Sequence, residues 1–187
     1  MASDSRANMV SSAAGLIARH GVSGTSFADV LADSGAPRGS IYHHFPDGKT
    51  QLAAEAVRWT SERVVAHQRS GEFSTPLDVL DRFLGMWRSV VTASSGRSGC
   101  VVAGVALDLA DDEPGADELM HIARDSFRDW IALLTDQFTT TGVPPDRARA
   151  IATATLAAME GALILCRAEG GVEPLDTVAV QLRALLG

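Results

Sequence analysis

The chain of 187 residues is poor in cysteine, holding only Cys100 and Cys166, with no Cys-x-x-Cys pair. Two distant thiols make neither a disulfide framework nor a zinc site, and they suit a reducing compartment. No apolar run reaches the ~20 residues that span a bilayer. Asp4, Asn8 and Ser11 interrupt the basic-then-apolar plan of a signal peptide at the N-terminus. These absences predict a cytoplasmic protein with no membrane partner. The sequence also lacks HExxH, GxSxG and a Gly-rich phosphate loop. His43 and His44 are adjacent, which on a helix points them about 100° apart and makes a poor chelate. The acidic run from Asp108 to Glu113 lacks the alternating ligands and turn glycine of a calcium loop. It reads as a solvated turn, with Asp111, Asp112 and Glu113 suited to a helix N-terminus. We expect no catalysis, no metal and no cofactor.

Positive charge is scarce too. A net charge of −7 argues against a general nucleic-acid binder. The charge is unevenly spread, however. Residues 1–69 hold 7 Lys and Arg against 6 Asp and Glu, whereas residues 70–187 hold 9 against 17. Arg6, Arg19, Arg38 and Lys49 lie in or beside the N-terminal segment. That segment can meet phosphates, but weakly. Specific affinity would need two such segments acting together.

The informative stretch runs from Gly21 to Leu52. Gly21 punctuates a first helix. Thr25 and Ser26 can each cap the next, and Ser26 with Asp29 has capping-box spacing. Phe27, Val30 and Leu31 give that helix an apolar face. Ser34-Gly35-Ala36 breaks it. Pro37 fits the first position of a new helix, predicted from Pro37 to His43, because its missing N–H costs nothing there. Ile41 is the buried residue of this helix. Arg38, Gly39, Ser40, Tyr42 and His43 remain, with Arg38 able to serve a base edge or a phosphate and the hydroxyls and imidazole able to serve phosphates. Two helices around a tight turn, with this polar set on the second, read as a helix-turn-helix DNA reader.

These residues resemble the N-terminal signature of the tetracycline-repressor (TetR) family. The resemblance rests on Thr25-Ser26, Ser34-Gly35 and Gly39-Ser40-Ile41-Tyr42-His43-His44-Phe45, and covers about the first third of the chain. Pro37 stands where a polar residue is more usual. Phe45-Pro46-Asp47-Gly48-Lys49 is one residue longer than the common linker and looks like a subgroup with a YHHFPxGK pattern. The resemblance implies an all-α fold of about nine helices. Residues 1–46 would form a three-helix DNA-binding domain, and residues 47–187 a helical effector-binding and dimerisation domain. DNA contacts are expected from Pro37, Arg38, Gly39, Ser40, Tyr42 and His43, with Thr25, Ser26 and Lys49 fixing the backbone.

Helical periodicity continues to the C-terminus. Asp47 can cap a helix reaching Arg69. Further helices are expected at about 76–93, 113–139, 146–169 and 174–186. Residues 100–110 are β-branched enough for a strand, but nothing is available to pair with one. The helix 146–169 carries a stripe of small residues, Ala148, Ala152, Thr155, Ala158, Gly161 and Ala162. With the last helix it could fill an intramolecular core or form a two-fold interface. The family resemblance favours the homodimer, which would set two readers about 34–36 Å apart on a palindromic operator.

Large aromatics gather between residues 59 and 130. Trp59, Phe83, Met86, Trp87, Phe127 and Trp130 can simply pack a core. The resemblance implies an effector cavity here, and such a lining suits an apolar or aromatic small molecule. Cys100 and Met159 could join it or be plain core residues. Glu160 could meet ligand, pair across a dimer or face solvent. The sequence reading is therefore a DNA-binding regulator, with a repressor as the family habit. A ligand-binding protein with a vestigial reader, or a purely structural helical dimer, are the rivals.

Overall fold

The computed structural model describes residues 2–108 and 115–186, with side chains from Ser5 onward. Asp111, Asp112 and Glu113 lie outside the described residues. Those described form helices and no strand: α1 (Ala2–His20), α2 (Phe27–Ser34), α3 (Ser40–His44), α4 (Lys49–Arg69), α5 (Pro76–Ser94), α6 (Val101–Asp108), α7 (Ala116–Thr140), α8 (Pro145–Glu169) and α9 (Glu173–Ala184). The chain divides into two compact units. Residues 1–63 and 100–126 make the first; residues 64–99 and 127–187 make the second.

The first unit is built on α1. Met9, Ala13 and Ile17 recur at helical spacing and are fully or nearly fully buried. Val30 of α2, Ile41 of α3 and Val57 of α4 are wholly buried in the same unit. The β-branched run after Cys100 is helical, with Val101, Val102 and Val105 buried. Burial at helical spacing outweighs β propensity here. Gly104 lets α6 approach closely, since a Cβ there would lie 3.3 Å from the Ile17 carbonyl oxygen. Gly21 ends α1 with φ of 73°, and a Cβ there would lie 2.5 Å from the Asp108 carboxylate. That carboxylate accepts the Ser23 backbone N–H at 2.6 Å.

In the second unit α5 buries Leu80, Phe83, Leu84, Trp87 and Val91. Thr75 and Asp78 close a capping box at its start, with Pro76 in the first turn. Gln68 is 1% exposed; its amide donates to the Val79 carbonyl at 3.1 Å and to Gln137 Oε1 at 3.0 Å. Exposed ion pairs join α5 to α9: Arg88 to Asp176 at 2.8 and 3.1 Å, and Arg183 to Asp81 at 2.8 Å. The hydrogen bonds and charge of Arg88 hold the Asp176 carboxyl below the usual range. At such exposure these pairs set geometry more than stability.

The structure shows which face of α8 is buried. Ala148, Ala152, Thr155 and Ala162 point into the second unit and are essentially inaccessible. The small residues thus let α8 lie close to its own neighbours. A second stripe faces outward instead: Ala150, Thr153, Ala157, Gly161, Ile164 and Leu165. Leu185, just after α9, is also exposed. By length and composition α8 is apolar enough to cross a membrane, yet 44% of its most apolar window is buried by protein.

Gly85 sits exposed inside α5, with nothing within 4 Å of an added Cβ. Gly85→Ala should stabilise the protein by about 0.5–1 kcal/mol, because alanine loses less backbone entropy in a helix. Urea unfolding would report a higher midpoint at unchanged slope. A lower midpoint would mean that this position requires glycine.

Candidate nucleic-acid interface

The surface around α3 begins with the cap of α2. Ser26 has extended backbone, φ −107° and ψ 162°. Its hydroxyl accepts the Asp29 N–H at 3.2 Å, while the Asp29 carboxylate accepts the Ser26 N–H at 3.0 Å. The Ser26 hydroxyl also donates to that carboxylate at 2.5 Å. These bonds, the hydroxyl first and the N–H second, hold the Asp29 carboxyl below its ordinary range. Thr25 does not share the cap. It is 5% exposed, and its hydroxyl donates back to the Gly21 carbonyl at 2.8 Å. The two adjacent hydroxyls thus split their work, one closing the α1 turn and one opening α2.

Gly35 ends α2 in the left-handed region, φ 67°. The chain then turns at Pro37. Its carbonyl accepts both the Ser40 N–H at 2.9 Å and the Ser40 hydroxyl at 2.7 Å. Helix α3 therefore starts at Ser40, three residues later than expected, with Pro37 closing the turn before it. Gly39 supplies no side-chain cap. The next helix starts at Lys49 rather than Asp47, and the Gln51 carboxamide accepts the Asp47 backbone N–H at 3.1 Å.

One turn apart on α3 and its cap, Ile41 and Phe45 are 0% exposed. Their spacing puts the other residues outward. Arg38, Gly39 and His43 are exposed, and Ser40 is half-buried. Tyr42 is 69% exposed even though its ring meets Phe27 edge-on at 5.6 Å. The Arg6 guanidinium lies 5.4 Å above the Phe45 ring and 2.6 Å from Glu55 Oε1, pinning the end of α3 between α1 and α4. Lys49 Nζ donates to the Ser23 carbonyl at 3.2 Å. Sequence reading misses the anchoring part of Phe45 and the aromatic partner of Phe27. The first was findable, because Phe45 follows Ile41 at helical spacing. The Phe27–Tyr42 contact was not, because it joins two helices. Guanidinium, phenol and imidazole on one short outward face can donate to phosphates or base edges.

The aromatic residues expected around an effector fall in two places. Trp59 and Cys100 belong to the first unit, the others to the second. Trp59 carries the Arg63 guanidinium at 4.7 Å. It borders an open groove with Arg6, Ala7, Val10, Glu55, Arg58 and Glu62. Cys100 is buried. In the second unit Trp87 meets Trp130 at 5.9 Å, and Phe127 meets Trp130 edge-on at 5.7 Å. Phe83 and Met159 are buried, whereas Met86, Phe127 and Glu160 are half-buried.

Residues 10–56 match the family of bacterial regulatory proteins called tetR. Residues 76–181 match the C-terminal domain of LmrA/YxaF-like transcriptional regulators. An HTH-type transcriptional regulator of Mycobacterium tuberculosis is 40% identical over 183 residues, covering 97% of this chain and 93% of its own. The chain belongs to the TetR family. As a member it is a DNA-binding transcriptional regulator with an all-α fold. The regulator is also 28% identical over 176 residues to the HTH-type regulator LmrA of Bacillus subtilis, spanning 92% of this chain and 91% of that one. A TetR-family regulator of Agrobacterium tumefaciens shares the fold across all of both chains, with TM-score 0.84 at 24% identity.

The lowered Asp29 carboxyl stabilises the reader where it is ionised. Its contribution is present above the unfolded carboxylate value, about 3.9, and is lost as pH falls through the lower folded value. Asp29→Asn should therefore cost stability at pH 6, and the gap to wild type should shrink as pH falls toward 3. Urea midpoints across that range would check it. A gap that stays constant with pH would exclude the ionised cap as its cause.

Proposed function

We propose that the regulator is a repressor that binds a palindromic operator as a homodimer and is released by a small apolar or aromatic effector. The observation that carries the reading is the outward polar face around α3, set by the buried pair Ile41 and Phe45. Residues 1–46 form the reader in this proposal, and residues 47–187 the effector-binding and dimerisation part. Arg38, Tyr42 and His43 contact DNA. Ser26, Pro37, Gly39 and Ser40 shape the approach, and Thr25 and Lys49 hold the loop before α2. In this proposal the longer linker Phe45-Pro46-Asp47-Gly48-Lys49 marks a subgroup with a YHHFPxGK pattern. A soluble DNA reader of this kind acts in the cytoplasm, with no catalytic step.

The dimer is proposed through α8 and α9. Its support is the outward stripe of α8, where Ile164 is 57% and Leu165 51% exposed, together with Val180 of α9 at 57%. Gly161 in the same stripe has nothing within 4 Å of an added Cβ, which leaves room for close helix approach. The effector is proposed to meet Phe83, Met86, Trp87, Phe127 and Trp130, with Met159 and Glu160 nearby. It must bind the DNA-incompetent state more tightly, since equal affinity for both states shifts nothing.

Arg38→Ala should weaken operator binding by about 1–3 kcal/mol and leave the dimer intact. Anisotropy titrations on the palindrome flanking the regulator's own gene, across a salt series, would measure it. Unchanged affinity would take Arg38 out of the reader. The double change Ile164→Glu with Leu165→Glu should give folded monomers by sedimentation velocity. Persistent dimers would move the interface elsewhere.

A further inference from the structure

Of the 16 Lys and Arg side chains in the sequence, 15 are arginine, and Lys49 is the single lysine. Arginine serves phosphates and carbonyls at least as well, through five donors in a rigid fork. What lysine adds is a primary amine that can be acylated, whereas the guanidinium stays protonated. Lys49 stands at a sensitive place. It opens α4, four residues after Phe45, the C-cap of α3. Its Nζ donates at 3.2 Å to the Ser23 carbonyl, in the loop before α2. One side chain thus ties together the two ends of the reader helix pair. The Asp108 carboxylate accepts the Ser23 N–H at 2.6 Å, so the loop has one charged group on each side. Lys49 is half-buried, and its bond to Ser23 is solvent-exposed. No carboxylate pairs with the ammonium among the described residues. The charge balance makes this amine count for more. Residues 1–69 hold 7 Lys and Arg against 6 Asp and Glu, so losing the Lys49 charge removes the whole net positive charge of that segment.

We propose that Lys49 is an acylation site, modified directly by a small activated acyl compound, an acyl phosphate or an acyl thioester, and that acylation weakens the hold of the regulator on DNA. The inference rests on the reader proposed above. The neutral ε-amine attacks the acyl carbon. A C–N bond forms as the bond from that carbon to the phosphate oxygen or thiolate sulfur breaks. The leaving group departs with the electron pair, the nitrogen gives its proton to water, and nothing is oxidised or reduced. The product amide keeps one N–H where the ammonium had three, and it has no charge. The Lys49 side of the Ser23 loop is released while the Asp108 side remains. Attraction to phosphates falls at the same time, because it is set by the number of cations facing the duplex.

The purified protein is incubated with acetyl phosphate in one arm and acetyl-coenzyme A in the other, each with a free one-lysine peptide in the same tube. Peptide mass spectrometry reads Lys49 and separates it from any α-amine. Modified and unmodified protein differ by one charge and are resolved by ion exchange. Each is titrated by anisotropy onto a mixed-sequence duplex and onto the palindrome flanking the regulator's own gene, across a salt series. The acetylated protein should bind both DNAs about three- to tenfold more weakly, with the salt slope reduced by about one. Prior binding to DNA should protect Lys49 in both arms. Reaction in one arm alone supports the site and identifies its donor class. Lys49 left unmodified in both arms while the free peptide reacts overturns the inference. So does a modified fraction that binds like the unmodified one. Treated Lys49→Arg should match its own untreated baseline, and a loss of binding that persists there assigns the effect to another amine and overturns the role of Lys49. Unmodified wild type that retains neither DNA overturns the reader itself, a result separate from all of these.

Discussion

The reader depends on the burial of Ile41 and Phe45. Helix α3 has five residues, far below the ~12–15 at which isolated helices become marginal in water. It has no side-chain cap, and no helical hydrogen bond can extend past its own short ladder. Its stability comes from outside, through two wholly buried side chains one turn apart. Removing them from water also sets the rotation of the helix. Once Ile41 and Phe45 face inward, Arg38, Tyr42 and His43 have to face outward. Presentation of the polar set to DNA is thus a consequence of apolar burial.

Other contacts of the first unit sharpen that placement. Arg6 reaches from α1 over the Phe45 ring to Glu55 of α4. Phe27 on α2 steadies one edge of Tyr42 and leaves the phenol free to reach outward. The loop before α2 is held from two sides, by the Asp108 carboxylate on the Ser23 N–H and by Lys49 on the Ser23 carbonyl. Each contact alone is modest, and the exposed ones are weakened by salt. Their value is geometric, because a base-edge contact tolerates little error in position. The sparse positive charge of the N-terminal segment fits this economy. It provides weak general attraction, and specificity has to come from placement and from pairing of two readers.

Much of this was legible in the residues. Gly21 and Gly35 do sit in the left-handed region where the helices end. Ser26 and Asp29 do close the capping box their spacing suggests. Errors fell where neighbours in space decide. Thr25 and Ser26 are equivalent caps by residue type, yet one is turned inward by a carbonyl four residues earlier. Pro37 is an acceptable first helical residue, yet Ser40 ties its carbonyl with two donors and delays the helix. On α8 composition marked small residues without saying which of two small-residue faces is buried.

The sequence by itself determined the family, the helical class, and the identity of the polar residues grouped on the second reader helix. These follow from local spacing and capping, which act within a few residues and need no distant partner. Tertiary structure alone decided where α3 begins, which hydroxyl caps α2 and which face of α8 stays outside. Those outcomes depend on which surfaces remain for burial after every helix has packed. Residues far apart in the chain compete for the same space, and local sequence does not carry that information.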